Sequence, residues 1–442
     1  MKIQLSDHFT YSRLLRFTLP SVLMMVFVSI YGIVDGFFIS NFAGKTAFAG
    51  ANFVLPYLML LSCSGFIFGA GGGALTAKTL GEQHSREASR IFSMFVWLSV
   101  LVGLVLLAVG MLTARSFAAA FGATGQMLED AERYALIVLV PLPLSILQYA
   151  FQNFFVTAGK PQLGLYVILL AGGTNIVLDL VFVGVFGWGL EGAAWATVIS
   201  ESIAGGVPIL YFVRPNSSSL RLVPVRLAAR PIWQGISNGF SELLTSISGP
   251  LLSTVFNAQL LRFAGENGVA AYGVLMYANL VFVGTFLGFS TGVTSIVGYN
   301  YGAGNRAELK SIRRKCLLLI TVFAAVMAVC SELFGRDIAV LFVGYDQELL
   351  NVTEHGFEIF SISFLFAGYP VLISAFFTGL NNGLLSAAVS ASRILLFQLP
   401  CVLILPMLFG VDGIWWSVVL AELLAGLVGL ALLRANRGRY GY

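Results

Sequence analysis

Long apolar stretches recur along the whole chain and constrain its fold more than any other feature. Each covers at least the roughly 20 residues that a helix needs to cross the hydrocarbon core of a bilayer. Only 10% of the residues are charged, whereas a soluble domain carries about 25%. The sequence therefore predicts an all-α, polytopic membrane protein with 12 transmembrane helices, near residues 14–40, 48–78, 91–113, 131–157, 163–186, 190–213, 234–262, 269–298, 314–334, 355–379, 384–409 and 412–434.

Lysine and arginine residues are unevenly distributed between the two sets of loops. An even number of spans places both termini on the same side, and most basic residues fall in loops of that side. Few, such as Arg115 and Arg336, fall in the loops of the other side. Cytoplasmic loops carry an excess of basic residues, so we expect both termini in the cytoplasm. The basic loops lack interleaved aromatic residues, and we therefore expect no nucleic-acid partner.

The two halves of the chain repeat each other. When the sequence is shifted by 221 residues, half of its 442, Gly81 falls on Gly302 and Glu201 on Glu422. We therefore predict a six-helix N-terminal lobe over residues 1–213, a cytoplasmic linker over 214–233 and a six-helix C-terminal lobe over 234–442. An even number of spans in each lobe gives both lobes the same orientation. Parallel repeats of this kind occur in transporters, with the substrate site between the lobes.

Acidic residues inside the spans are candidates for function, because an ionisable group near the bilayer centre costs at least about 2.5 kcal/mol. Asp35 follows Tyr31 by four residues, and Asp179 follows Asn175 by four, so each pair shares a helix face. A carboxylate with a second oxygen nearby suits Na⁺ or a bound proton. The alternative is that each aspartate caps a kink or satisfies a backbone group.

The repeat does not preserve these aspartates, since their counterparts in the second half are Phe256 and Pro400. The N-terminal lobe is therefore the better candidate for the coupling site. Glu201 and Glu422 match across the repeat, which favours a shared scaffold role. Roles left open for Glu242 are a second proton site, a counter-ion for a cationic substrate and a structural or interfacial contact. Gln152 and Asn153 either line a cavity or join helices.

Residue patterns typical of enzymes are missing from the sequence. The three histidines, His8, His84 and His355, lie far apart in loops or at the membrane edge. No segment resembles a nucleophile elbow or a zinc motif. We therefore expect no catalytic residues, no metal beyond a transported ion, and no cofactor.

Several segments together resemble the multidrug and toxic compound extrusion (MATE) family, in its bacterial MepA-like branch. The resemblance covers essentially the whole chain. The segments that carry it are Val34–Ser40, the paired Ala77–Gly81 and Gly298–Gly302, Thr157–Pro161, Gly189–Ala196, and Ser392-Arg393 before Pro400.

This resemblance implies the MATE fold and an antiporter of the bacterial inner membrane that is driven by H⁺ or Na⁺. Its partners would be membrane lipid and exported small organic cations or drugs, and we expect a monomer. The family's cation-coupling site maps onto Asp35, Asn175, Asp179 and Thr197. Some relatives use a carboxylate pair in the C-terminal lobe, of which Glu242 would be the first member. Candidates for substrate contact or a second proton site are Glu242, Tyr31, Gln152 and Asn153.

Two other functions compete with this interpretation. The first is a lipid-linked oligosaccharide flippase of the same broad superfamily, which usually has more spans and a cationic central cavity. The second is a membrane-embedded enzyme, for instance a prenyl-transferring one, which would need aspartate-rich metal motifs at loop edges. Dependence of substrate movement on an ion gradient would separate the antiporter from both.

Overall fold

The architecture is known from a computed structural model that describes residues 3–39, 42, 45–120 and 123–442. Side chains of residues 45–50, 52, 53 and 250 lie outside this description. No strand occurs in the described residues, as expected where the bilayer leaves backbone groups no partner except within a helix. The helices are α1 (Tyr11–Phe38), α2 (Lys45–Ser62), α3 (Ser64–Gly81), α4 (Ser85–Ala120), α5 (Gly125–Leu139), α6 (Leu142–Thr157), α7 (Pro161–Asp179), α8 (Gly189–Val213), α9 (Ala229–Gly302), α10 (Arg306–Val343), α11 (Gln347–Gly379), α12 (Gly383–Ala391), α13 (Leu399–Phe409), α14 (Val411–Ala435) and α15 (Arg437–Tyr440).

The number of spans agrees with the twelve that the sequence predicts. Ten helical segments of the described chain are long and apolar enough to cross a membrane, and the bent pair α5 and α6 makes an eleventh. Helix α9 counts once among the ten, yet its 74 residues would extend about 110 Å, several times the thickness of a bilayer. It is interrupted at Gly265, where φ is 65° and ψ is −155°, and so supplies two spans.

Three of the predicted spans contain two α-helices each; in the one predicted at 384–409, the π-helical turn Ser392–Gln398 joins α12 to α13. The stretch predicted at 48–78 contains α2 and α3, which meet at Cys63. The stretch predicted at 131–157 contains α5 and α6, which form an angle of 60°. Pro141 lies at this bend, where it cannot donate a backbone hydrogen bond to the preceding turn.

A connection without helix separates the two halves, because α8 ends at Val213 and α9 begins at Ala229. The first residues of the chain nevertheless pack against the C-terminal half. Phe9 is fully buried in an apolar cluster that includes Leu309. Its backbone N–H donates to Glu308 Oε1 over 2.9 Å, and His8 Nδ1 lies 2.6 Å from Glu308 Oε2.

Backbone atoms of the two lobes meet directly on the side of the molecule that carries both chain ends. A Cβ atom on Gly81 would lie 1.9 Å from the carbonyl oxygen of Tyr299, and one on Gly302 would lie 1.9 Å from the carbonyl oxygen of Lys78. A shift of 221 residues converts each contact into the other, so a pseudo-twofold axis passes between them. We call these reciprocal contacts the glycine seam. The lobes are closed against each other at this seam.

Candidate functional site

A cavity of about 180 Å³ lies among helices α1, α2, α5, α6, α7 and α8 of the N-terminal lobe. Three of the four predicted cation-coupling residues, Asp35, Asn175 and Thr197, line it. The fourth, Asp179, is fully buried and adjoins Asp35. None of the described side chains that line this cavity is basic. We refer to it as the N-lobe cavity.

Glycine at position 172 allows α1 to lie close to α7 beside this cavity. A Cβ atom there would be 2.6 Å from Phe27 Cε1 and 3.0 Å from Tyr31 Cδ1, so a larger residue would push α1 away. Asp35 follows Tyr31 by one helical turn, and Asp179 follows Gly172 by two. The close helix contact therefore brings the two carboxyl groups together. Asp179 also precedes a π-helical turn, Leu180–Val185, a feature that is frequent at functional sites.

Oxygen atoms in this site lack hydrogen-bond partners among the described residues. They are Oδ1 of Asp35, Oδ1 of Asn175 and both carboxyl oxygens of Asp179. This disfavours the alternative that each aspartate satisfies a backbone group. Buried acceptors without donors cost free energy unless a proton or a cation neutralises them. These oxygen atoms are therefore suited to bind a proton or a small monovalent cation.

The hydroxyl groups in the site have other partners. Thr197 Oγ1 donates to the carbonyl oxygen of Ala193 over 3.1 Å and lies beside the Tyr134 hydroxyl. Tyr31 lines the cavity as predicted, but its hydroxyl interacts with Gln148 on α6 and not through a hydrogen bond with Asp35. Both hydroxyl-bearing side chains therefore border the unpaired oxygens without saturating them.

Sequence reasoning missed several residues of the N-lobe cavity. Glu201 lines it and accepts a hydrogen bond from the Ser145 hydroxyl, and Tyr134 and Tyr149 also border it. A signal for Glu201 was present, because it follows Thr197 by four residues and so shares its helix face. The match with Glu422 obscured this signal by suggesting a common scaffold role.

The two predicted amides of α6 lie away from the N-lobe cavity. Asn153 packs against α3, since a Cβ atom on Gly69 would lie 2.8 Å from Asn153 Nδ2. Gln152 is buried, and its Nε2 lacks a partner in the described structure. Of the two roles that the sequence left open for Asn153, the contact between helices agrees with this position.

The C-terminal lobe contains a different arrangement of charges. Arg393 binds Glu422 through two nitrogens, with Nε 2.9 Å from each carboxylate oxygen and Nη2 2.6 Å from Oε1. This pair borders a cavity of about 190 Å³ that is also lined by Phe256 and Tyr272. Glu242 lies with Arg393 at a second, much smaller cavity. Nowhere in the described chain do three or more His, Cys, Asp or Glu side chains form a metal-binding group.

The order and packing of these helices can be compared with known proteins. Two segments of the chain, residues 20–181 and 242–404, match the family described as MatE, once in each half. Together they cover most of the 442 residues. This chain belongs to the MATE family. Its members are transporters, so the predictions of the family and of a protein that is not an enzyme are confirmed.

Named relatives of this MATE protein extend over nearly its whole length. It is 26% identical to the multidrug export protein MepA of Staphylococcus haemolyticus strain JCSC1435, over 97% of this chain and 94% of the relative. It is 25% identical to MepA of Staphylococcus aureus strain MW2, over the same shares of both chains.

Solved structures confirm the predicted MATE fold. A MATE crystal structure in complex with MaL6 has a TM-score of 0.93 and 20% identity, covering 98% of each chain. The outward-facing conformation of a multidrug resistance MATE family transporter has the same score and identity, covering 98% of this chain and 97% of the other.

Proposed function

We propose that this MATE-family protein is a cation-coupled antiporter that exports organic compounds in exchange for H⁺ or Na⁺. The observation that carries the proposal is the group of unpaired oxygens on Asp35, Asn175 and Asp179, buried in a cavity whose described lining has no basic residue. Relatives named multidrug export proteins, matching nearly the full chain, support export of organic compounds.

Cationic, amphipathic compounds are the substrate class that best fits the charges and the apolar surface of the two lobes. The N-lobe cavity combines acidic side chains with Leu55, Leu58 and Met59. The larger C-lobe cavity adds the aromatic rings of Phe256, Tyr272 and Phe360, and its charged residues, Arg393 and Glu422, neutralise each other. Ligand sites usually combine such apolar walls with a few polar groups that set specificity. An acidic lining also disfavours a lipid-linked oligosaccharide flippase, for which a cationic cavity would be expected.

The side that carries the chain ends would face the cytoplasm of a bacterial inner membrane. This assignment rests on the excess of basic residues in the loops of that side. The glycine seam would then close the cytoplasmic side, and a cation arriving from outside would enter the N-lobe cavity. We propose that the protein acts as a monomer, in which the two lobes of one chain form the complete transport unit.

Helix α1 would transmit the binding of the cation to both lobes. It carries Asp35 and packs against α7 in the N-terminal lobe. It also packs against α9, where a Cβ atom on Gly288 would lie 2.5 Å from Val22 Cα and one on Gly292 would lie 2.5 Å from Thr18 Cγ2. Neutralising the aspartates would allow α1 to bend and would expel the substrate. Release of the cation on the cytoplasmic side would restore the binding state.

Transport by aspartate variants tests this proposal. Purified protein is reconstituted into vesicles, and ethidium movement is followed under a pH gradient or a Na⁺ gradient imposed separately. We expect Asp35→Asn and Asp179→Asn to abolish gradient-driven transport, because an amide cannot gain and lose the cation that the carboxylate holds. The ion whose gradient drives the unaltered protein is the coupling ion.

Glu191→Gln serves as the matched control. Glu191 is an acidic residue of α8 that lies at the protein surface, 2.8 Å from Arg133. This variant should transport ethidium at the rate of the unaltered protein. Undiminished transport by both aspartate variants would rule out coupling at this site.

A further inference from the structure

Glu201 and Glu422 occupy equivalent positions in the two lobes but differ in their partners. The Glu422 side chain is 3% exposed and bound by the guanidinium of Arg393. Glu201 forms no ion pair with any residue of the described structure, and its hydrogen-bond partner is Ser145. The same acidic residue is therefore neutralised in one lobe and left without a cationic partner in the other.

The counterpart of Arg393 explains this difference. A shift of 221 residues places Gly172 where the second lobe has Arg393. The space beside Gly172 is filled by the rings of Phe27 and Tyr31, which would lie 2.6 and 3.0 Å from an added Cβ atom. An arginine cannot be accommodated without displacing α1. The helix contact that brings Asp35 to Asp179 thus also deprives Glu201 of a basic neighbour.

The hydrogen bonds of Ser145 are compatible with two protonation states of Glu201. Ser145 Oγ is 3.2 Å from the carbonyl oxygen of Pro141 and is also in contact with Glu201 Oε2. A serine hydroxyl has one proton to donate and two lone pairs to accept. If it donates to Glu201, Glu201 is a carboxylate. If it donates to Pro141, Glu201 must carry a proton and donate it to Ser145.

The titratable groups that face Glu201 are acidic or phenolic. They are Asp35 and Tyr31 on α1, Tyr134 on α5 and Tyr149 on α6, with Asp179 of α7 next to Asp35 and Cys63 beyond Tyr149. One cation shared by Asp35 and Asp179 leaves a single negative charge on that pair and cannot also compensate the charge of Glu201. In a low-dielectric cavity, a second cation stabilises the loaded state.

We propose that Glu201 takes up and releases a proton of its own in each transport cycle, so that the N-lobe cavity carries two cations per turnover. One cation is shared by Asp35 and Asp179, and the other is the proton on Glu201. The proton binds Glu201 from the external side and leaves on the cytoplasmic side, with Ser145 reversing its hydrogen bond. This inference rests on the proposed antiport and specifies its stoichiometry.

The number of cations exchanged per ethidium tests the inference. Vesicles are clamped at zero membrane potential, with tenfold gradients of both H⁺ and Na⁺, and the steady ethidium gradient is measured. Each coupled cation contributes about a factor of ten to that gradient. We expect the Glu201→Gln variant to transport ethidium but to sustain a gradient about tenfold smaller than the unaltered protein.

A merely structural role for Glu201 predicts a different result. Loss of a structural contact would lower the amount of folded protein or the transport rate, and would leave the steady gradient unchanged. Glu201→Asp keeps a carboxyl group and should retain the original gradient at a reduced rate. Glu191→Gln, which removes an exposed acid from the same helix, should retain both the gradient and the rate.

Two outcomes would overturn the inference without affecting the proposed antiport. The first is a gradient in Glu201→Gln equal to that of the unaltered protein. The second is a ratio of one cation per ethidium in the unaltered protein, which needs no variant and applies even if Glu201→Gln does not fold. Failure of the antiport itself would instead appear as full transport by Asp35→Asn and Asp179→Asn.

Discussion

Acidic residues inside the spans differ in whether a basic side chain neutralises them. Glu422 is held by Arg393 in a geometry that engages both carboxylate oxygens. Both side chains are largely buried, with 14% of Arg393 and 3% of Glu422 exposed. Removing one partner of such a pair leaves an uncompensated buried charge, which costs more than the intact pair contributes. Substitutions in this pair can therefore show how much the stability of the C-terminal lobe depends on neutralising the buried charge of Glu422.

Arg393→Ala should destabilise the protein by about 3–5 kcal/mol, because Glu422 would lose its partner and have to bury its charge or take up a proton. Thermal unfolding in detergent, followed by fluorescence, measures the change. Replacing both residues by methionine should recover most of the lost stability, since no buried charge then remains.

The comparison for this prediction is the surface ion pair of Arg133 and Glu191. Its side chains are 66% and 48% exposed, so Arg133→Ala should change stability by about 0–1 kcal/mol. If Arg133→Ala and Arg393→Ala changed the stability equally, burial of the ion pair would not explain the cost of removing one partner.

The sequence predicted the kind of chemistry in the N-lobe cavity, but it did not predict every residue that lines the cavity. Their position inside the spans singled out Asp35 and Asp179, spacing placed Asn175 on the helix face of Asp179, and the family resemblance added Thr197. Their convergence depends on the contact of α1 with α7 at Gly172, which no spacing within one helix reveals. Glu201 was set aside because its repeat partner also carries an acid, whereas the deciding difference lies at Gly172, on another helix.

At the scale of single helices, the sequence did not predict the breaks that lie within the spans. Hydropathy predicted the apolar stretches, but it could not detect the junction at Cys63 or the 60° bend between α5 and α6. Apolar composition is the same on either side of such breaks. Gly265 differs from these positions, because it lies between the spans that the sequence predicted at 234–262 and 269–298. Its φ of 65° with ψ of −155° is accessible almost only to glycine.

Gly265→Ala should therefore lower the stability of the protein by about 1–3 kcal/mol, the cost of holding a side chain in that backbone conformation. The midpoint of thermal unfolding in detergent should fall accordingly. The variant should also alter the angle between the two spans of α9, which a distance measurement between spin labels on either side of the break would detect.

Gly273→Ala provides the control within the same helix. Nothing lies within 4 Å of a Cβ atom at this position, and its backbone is helical. Alanine is a better helix former than glycine, so this variant should be neutral or slightly stabilising. A loss of stability as large as that of Gly265→Ala would argue against strain at the break.

The two-lobed organisation was predictable from the repeat, but the relation between the lobes was not. A repeat indicates that two similar units exist and does not determine which side is closed. Contacts between Gly81 and Tyr299 and between Gly302 and Lys78 show closure on the side of the chain ends. The packing of Phe9 in the C-terminal half was likewise hidden, since sequence proximity assigned it to the first lobe.

Gly81→Ala and Gly302→Ala should each oppose closure of the lobes, because the new methyl group would lie 1.9 Å from a carbonyl oxygen. An overpacking cost of about 1–3 kcal/mol would reduce the closed population roughly 5- to 150-fold. Ethidium transport should fall, and cysteines introduced beside the seam should become accessible to a water-soluble thiol reagent.

A glycine-to-alanine change at a position with free space should affect neither transport nor labelling. Gly206 on α8 has nothing within 4 Å of an added Cβ atom, so Gly206→Ala should preserve transport and labelling. Normal transport by both seam variants would show that full closure is not required.

The atoms that meet at the glycine seam have a consequence for how the molecule responds to its surroundings. Hydrogen atoms of Gly81 and Gly302 touch peptide carbonyls, and neither glycine has a side chain that could ionise. The energy of this contact should thus hardly vary with acidity or ionic strength, in contrast to contacts between charges. The backbone contacts of the seam should therefore stop the approach of the lobes at the same distance over a wide range of pH and salt concentration.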